Sequence, residues 1–358
     1  KRLHACDGFF HFNLLVSLLS SGTGLAPDSG TIVQIRENFP ARYVTPLTRT
    51  YYYVLPMNRI FWLSIAMLFW STAVAAGTGC GTNGTRLQVL GSGGPESTDG
   101  RASTSYLLWE NSRARLLVDM GSGSMRNFER SEASIDDLGA ILLTHLHVDH
   151  SVDLPVLVKA SYFTRRDTEL PLYGPDGNEL MPGTREFVKT LLGSEGAYRY
   201  LSDYLDGSES WRLSVHEIEA GGSEEGIAMD ADGLKITYVP VHHGPIPALA
   251  WKVELSGKSL VFSGDMSGRN NTLAGLAAGA DLLVAHNAIP EDAGQSARSL
   301  HMPPSEIGRI AAEAGAKSLL LSHRMSRSLG RENETLEMVR RNYQGPVTFA
   351  EDMMCVSP

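Results

Sequence analysis

The chain has 358 residues, 42% hydrophobic and 20% charged, which is ordinary for a globular protein able to bury a sizeable core. A formal net charge of −9 argues against a broad nucleic-acid-binding face. The three cysteines, Cys6, Cys80 and Cys355, form no CxxC pair, which speaks against a thiolate zinc site or a redox dithiol.

Residues 1–56 show little periodicity, and the apolar stretch 9–19 is too short to span a bilayer. The character changes at Met57. Met57-Asn58-Arg59 is a short positive start, residues 60–76 are apolar, and Ala73-Val74-Ala75-Ala76 closes the run with small residues. This is the pattern of a secretory signal peptide. We therefore expect translation to start at Met57, with residues 1–56 a non-native or disordered upstream extension, 57–76 a signal peptide and 77–358 the working domain. The product would be exported to the periplasm or the cell exterior. Two other readings stay open: a lipoprotein attached through Cys80 of Gly77-Thr78-Gly79-Cys80, and an uncleaved N-terminal membrane anchor. Export would place Cys80 and Cys355 in an oxidising compartment, where they can pair.

Residues 85–90, 105–109 and 115–119 read as strands, punctuated by the turns Gly91-Ser92-Gly93-Gly94-Pro95 and Asp119-Met120-Gly121-Ser122-Gly123. The first turn is no nucleotide loop, because it lacks the Lys-Ser/Thr ending and a following helix. Residues 140–143 read as a buried strand, and it empties into Thr144-His145-Leu146-His147-Val148-Asp149-His150. Three imidazoles and a carboxylate at a strand end suit zinc or a similar divalent ion. His145 and His147 can share one ion. Asp149 and His150 lie where a helix begins and can face a second. Four ligands are too few to close two sites, so others must come from later in the chain.

The HxHxDH run resembles the signature of the metallo-β-lactamase superfamily. Leu90-Gly91-Ser92-Gly93-Gly94-Pro95, Arg101 and Val118-Asp119-Met120-Gly121-Ser122-Gly123 sharpen this to its ribonuclease Z branch, with arylsulfatases and cyclic-nucleotide phosphodiesterases showing related patterns. In that light Asp119 supports the metal loop rather than binding metal itself.

Further on, residues 151–160 read as a helix and 170–175 as a strand and turn. Residues 176–234 are the least legible part. Helix is expected over 186–192, and the Tyr198–Tyr204 cluster reads as helix packing or as a cleft lining. This segment is acidic, whereas the resemblance leads one to expect a basic arm that grips transfer RNA. Transfer RNA is therefore not favoured, since phosphate-driven affinity needs cationic groups. Residues 234–241 read as a strand ending in His242-His243-Gly244-Pro245. One of these histidines completes the first site, and the family pattern favours His243. His242 would then stand behind the ligands or line the cleft. Residues 259–262 feed Ser263-Gly264-Asp265, whose aspartate the resemblance makes the bridge between two ions. Residues 281–285 lead to His286, read as structural. His301 precedes an expected helix over 306–314 with Ser305 as N-cap, and takes the place of the family's leaving-group histidine, although Pro303 replaces the family's threonine. Residues 317–321 end at His323, which matches the last ligand. Arg327 supports the site, meets a substrate anion, or forms a surface salt bridge. Residues 334–342 and 347–350 close the chain as helix and strand.

The resemblance implies an α/β fold, the four-layer αβ/βα sandwich of two mixed sheets. It also implies two Zn2+ ions, with Mn2+ or Fe2+ accepted by the same donors. His145, His147 and His243 would hold one ion and Asp149, His150 and His323 the other, with Asp265 between them. The implied activity is hydrolysis of an ester by activated water, with Asp149 carrying a proton and His301 assisting the leaving oxygen. The substrate expected is a small anionic ester or phosphodiester, with an aryl sulfate or a lactone as alternatives. A non-catalytic metal-binding protein is the remaining class. No membrane partner is expected beyond an N-terminal anchor, and a homodimer is compatible with the resemblance.

Overall fold

The structure, a computed structural model, describes residues 31–36, 50–55, 80 and 83–358. The expected signal peptide, 57–76, lies outside the described residues. Among the described residues no helix is long and apolar enough to cross a membrane. Within the stretch read as an upstream extension, strands β1 (Thr31–Arg36) and β2 (Thr50–Leu55) pair antiparallel. They belong to a unit of their own, separate from residues 77–358.

The large unit is built from two seven-stranded sheets. The first holds β3 (Thr85–Gly91), β4 (Ser105–Glu110), β5 (Arg113–Val118), β6 (Ala140–Leu142), β7 (Leu170–Pro175) and β8 (Leu213–Ile218), with the short β16 (Cys355–Val356) outside β3. The second holds β9 (Gly226–Ala231), β10 (Leu234–His243), β11 (Ile246–Leu255), β12 (Lys258–Phe262), β13 (Leu282–His286), β14 (Leu319–Ser322) and β15 (Val347–Phe349). Each sheet starts as an antiparallel meander and continues as parallel strands: β3 to β5 then β5 to β8, and β9 to β12 then β12 to β15. Parallel strands need long crossovers, and here helices supply them on the outer faces.

Three apolar layers follow. Leu87, Leu116, Leu142, Trp251, Phe262 and Val284 meet between the sheets. Leu117, Ile141 and Leu172 turn the other way, onto the helices of the first half. Leu283, Leu319 and Leu321 do the same in the second half. The result is helix, sheet, sheet, helix, the four-layer α/β sandwich. Strands buried on both faces must be apolar at nearly every position, which is why β6 and β14 read as unbroken apolar runs.

The two sheets are joined directly beneath the ligand loop. The Trp251 indole on β11, fully buried, donates to the Leu143 carbonyl at 3.1 Å. The Leu249 amide on the same strand donates to the Thr144 carbonyl at 2.8 Å. Burying so large a side chain is worth roughly 2–3 kcal/mol. The loop after β6 is therefore held from both halves of the molecule.

Two helix expectations are corrected. The helix expected over 151–160 is two pieces, α2 (Val148–Ser151) and α3 (Leu154–Ser161). Pro155 lacks an amide hydrogen and its ring crowds the carbonyl four residues back, so the first turn cannot continue through it. The Asp153 carboxylate, freed at the break, accepts from the Met125 amide at 3.0 Å, at the start of α1 (Ser124–Arg130). Ser305 is not an N-cap, because α4 (Pro304–Ala314) starts one residue before it and Pro303 holds the cap position. Ser305 instead donates its amide and hydroxyl to the Glu291 carboxylate, at 2.9 and 2.7 Å. The tyrosine cluster divides: Tyr204 packs on Trp211 in the core, while Tyr198 and Tyr200 are exposed.

Candidate metal centre

The candidate ligands gather at strand ends from both sheets. The loop after β6 supplies His145 and His147, and α2 supplies Asp149 and His150. His243 and His286 are the last residues of β10 and β13. Asp265 and His323 lie just beyond β12 and β14. The backbone turns sharply at these ends. Asp119, Gly264 and His323 have φ of 57°, 57° and 52°, in the left-handed region. For Gly264 a side chain is excluded, since a Cβ would stand 2.8 Å from the Thr144 Cβ. Asp119 and His323 carry side chains there, a conformation that persists only where surrounding contacts enforce it.

Two quartets result. His145, His147, His243 and Asp265 present donor atoms within 4.8 Å of one another, and so do His150, Asp265, His286 and His323. Asp265 belongs to both. Its Oδ2 lies 4.0 Å from His145 Nε2, 3.8 Å from His150 Nε2 and 3.9 Å from His243 Nε2. Its Oδ1 lies 3.5 Å from His323 Nε2. Asp149 stands beside the second quartet, with Oδ2 3.5 Å from His150 Nε2 and 3.8 Å from His323 Nε2.

The donors fit divalent cations. Two atoms each bound at about 2.0–2.2 Å to one tetrahedral ion lie roughly 3.3–3.6 Å apart, close to the separations here. His145 Nε2 and His150 Nε2 are buried and have no hydrogen-bond partner, an arrangement that is costly unless something else occupies those lone pairs. The outer nitrogens, by contrast, are tethered. His150 Nδ1 donates to Asp119 Oδ2 at 2.8 Å, His243 Nδ1 donates to the Leu300 carbonyl at 2.8 Å, and His323 Nδ1 meets Thr104 Oγ1 at 2.6 Å. Such tethers fix the tautomer and aim the free nitrogen at the place a cation would take.

Asp119 does more than hold one ring. It is fully buried and also accepts from the Thr144 amide at 2.7 Å and the Thr144 hydroxyl at 2.8 Å, so it secures the start of the ligand loop.

Charge states follow from the same geometry. Burial, with neighbouring imidazoles, holds His145 and His323 well below the usual histidine range. Burial likewise lowers His147, and lowers His243 to about 4. Burial alone would raise the Asp265 carboxyl, but His323, His301 and the His286 hydrogen bond outweigh it and hold it well below its ordinary value. Neutral imidazoles around an ionised carboxylate are the state a cation needs. His150 is the exception: burial would depress it, yet Asp119 raises it to about 9.

The remaining candidates surround this centre. His301 Nδ1 is buried without a hydrogen-bond partner, 3.7 Å from Asp265 Oδ2. His242 points the opposite way from His243, as alternation along a strand demands. Its Nδ1 is bonded to Ser267 Oγ at 2.8 Å, and it lines a cavity of about 410 Å³ with Asp176, Asn178, Glu219 and Asn270. Arg327 is exposed and forms no ion pair among the described residues; its Nε donates to the Ala288 carbonyl at 2.9 Å. Its charge contributes to lowering His301, behind burial.

Sequence reasoning missed two contributors. Thr104 orients His323, and nothing in its neighbourhood in the sequence signals that. The Gly91–Pro95 turn, read as punctuation, lies against the same candidate ligand: a Cβ on Gly94 would sit 3.2 Å from His323 Nε2.

A four-layer sandwich with two His/Asp quartets sharing one carboxylate at its strand ends defines a metal-dependent hydrolase of the metallo-β-lactamase fold. Residues 114–324 match the family described as "Beta-lactamase superfamily domain". The chain is 30% identical over 283 residues to a ribonuclease Z of Mycobacterium bovis, covering 75% of this chain and 96% of that protein. Among solved structures, the metallo-β-lactamase fold protein YhfI from Bacillus subtilis superposes with a TM-score of 0.60 at 23% identity, and the short form of human tRNase Z with 0.59 at 22%. Each covers 76% of this chain and 98% of the other. The chain belongs to the metallo-β-lactamase superfamily, in its ribonuclease Z-like branch.

Proposed function

We propose that this protein is a binuclear zinc-dependent phosphodiesterase acting on a small substrate outside the cytoplasm. The observation that carries the reading is Asp265 shared between two groups of donors, His145, His147 and His243 on one side and His150 and His323 on the other. When bound, the two ions supply an activated water and charge stabilisation at the phosphoryl oxygens. The chain's own residues do the rest. Asp149, beside the second quartet, is placed to orient the attacking water and take its proton. His301, kept neutral by burial, offers its N–H to the leaving oxygen and so stabilises charge as the bond breaks. Arg327, exposed and free of an acidic partner, supplies a cation for the substrate anion.

Relatives that carry the name ribonuclease Z speak for RNA, against the expectation drawn from charge. Two features keep the smaller phosphodiester ahead. The segment from 213 to 232 forms β8, β9 and their connections rather than a projecting arm, and it exposes Glu217, Glu219, Glu224, Glu225, Asp230 and Asp232 without a balancing basic cluster. Carboxylates there would repel a polyanionic RNA.

The test is side-by-side hydrolysis of bis(p-nitrophenyl) phosphate, p-nitrophenyl sulfate and a transfer-RNA precursor by metal-replete protein, with a chelator control and bound-metal analysis. Chelator-sensitive cleavage of the phosphodiester, with the precursor at least a hundredfold slower, is expected. Efficient precursor cleavage moves the protein to RNA, cleavage of the sulfate alone to the arylsulfatases. Two bound metals with no turnover would favour lactones or a binding role.

Export is supported by the Cys80–Cys355 disulfide, whose Cα atoms lie 5.5 Å apart. A Cys80 sulfur engaged in this bond is not available to a lipid, which favours a cleaved signal peptide over the lipoprotein. Intact mass of the natively produced protein tests this. The mature mass should lack residues 1–76 and rise by two hydrogens on reduction; a retained leader or a lipid adduct would refute it.

A further inference from the structure

His286 belongs geometrically to the second quartet, yet both of its nitrogens are already engaged. Nδ1 lies 2.8 Å from Asp265 Oδ1, and Nε2 lies 3.0 Å from the Tyr106 hydroxyl. An ionised carboxylate only accepts hydrogen bonds, so Nδ1 carries the proton and donates. In the neutral ring Nε2 is then the acceptor, and Tyr106 donates to it. That tautomer leaves no lone pair on His286 for a cation.

We infer that Tyr106 and His286 form a positioning relay that fixes the rotation of the Asp265 carboxylate, and that His286 is not a metal ligand. This rests on Asp265 being the carboxylate shared by the two quartets. Holding Oδ1 by a hydrogen bond fixes where both oxygens point: Oδ1 stays 3.5 Å from His323 Nε2, and Oδ2 is left toward His145, His150 and His243. The His286 ring also stacks on His323, with centroids 4.8 Å apart and planes 9° from parallel, so one residue steadies two others. The far end of the relay is rigid. Tyr106 is fully buried on β4 and packs on Phe262 at 5.4 Å between ring centroids. It comes from the first sheet, whereas His286 and Asp265 come from the second. The orientation of the shared carboxylate is thus set across the sheet-to-sheet interface. Groups that orient ligands in this way typically contribute 10–100-fold to metal affinity.

The experiment is titration of chelator-stripped protein with Zn2+ against a competing indicator, read as stoichiometry and affinity, with melting temperature followed with and without the ion. Tyr106→Phe keeps the ring that fills the core and removes only the hydroxyl. It should bind the same number of ions as the parent, with the weaker site loosened by about 10–100-fold. His286→Asn, whose amide still reaches toward Asp265, should fall between the parent and His286→Ala in affinity, all at unchanged stoichiometry. Loss of one ion equivalent in His286→Ala at saturating Zn2+ would make His286 a ligand and overturn the relay. Parental affinity in both Tyr106→Phe and His286→Ala would also overturn it. If the parent itself binds no more than one ion, the binuclear reading fails first, which is a separate result.

Discussion

Asp265→Ala should cut hydrolysis by roughly a thousandfold or more, the equivalent of several kcal/mol of lost charge stabilisation, and should lower bound metal at both quartets together. No other side chain of the centre serves both. Its Oδ1 and Oδ2 reach donors from β6, α2, β10 and the end of β14 within 3.5–4.0 Å. Loss of a ligand to one ion alone would leave the other site intact; loss of Asp265 cannot. The same change strands the His286 Nδ1–H in the interior, an unpaired donor that costs about 1–3 kcal/mol. Metal analysis with turnover on bis(p-nitrophenyl) phosphate checks this. A variant that retained a full metal complement and a tenth of the activity would contradict the shared role.

The second large effect is expected far from the ligands in sequence. Asp352 lies between β15 and β16, and its carboxylate gathers the loops that flank the centre. It accepts from the Ser92 amide at 2.9 Å, the Ser92 hydroxyl at 2.8 Å, the Ala102 amide at 2.7 Å and the Asn127 side chain at 3.3 Å. The Gly91–Pro95 turn it secures is the one that packs Gly94 against His323, and Arg101 in the second loop donates to the Arg324 carbonyl. Asp352→Ala leaves these donors without their shared acceptor. A loss of about 3 kcal/mol is expected, or roughly 6–12 °C in melting temperature for a domain of this size. The part-buried setting keeps the figure below the sum of four bonds. Because the turn borders His323, activity at a temperature where the variant is folded should also fall, mainly in kcat. Asp352→Asn, which keeps the acceptor oxygen but loses the charge, should lie between. Calorimetry and kinetics on the two variants check the order; an alanine variant within 1 °C of the parent would remove Asp352 from this role.

The centre was legible in the sequence because its richest part is local. His145, His147, Asp149 and His150 fall within six residues after a strand whose burial on both faces makes it an obvious apolar run. Asp265 and His323 were marked by position after similar runs. The choice between His242 and His243 was harder for a physical reason. Both faces of β10 are apolar, with Ile236 turned to one layer and Val239 and Val241 to another, so alternation alone does not say which face meets the ions. Among the strands that escaped were β8, β9 and β11. β8 and β9 lie at the far edges of their sheets and mix charged, exposed positions with buried ones, which dilutes the period-two signal. β11 opens with Ile246-Pro247, and proline reads as a turn although Pro247 sits at the strand's first residues, where it is tolerated. The relay from Tyr106 to Asp265 had no sequence signal at all, since its members are separated by 159 positions (265 − 106) and meet only when the sheets pack.

The division of the ligands between the two sheets sets an order of events. Residues from β6 and α2 arrive with one half of the sandwich, and His243, Asp265 and His323 with the other. Either half alone holds at most a partial set of donors, so tight ion capture waits until the halves have docked. In refolding, metal uptake is therefore expected to report the meeting of the two sheets rather than the formation of either one.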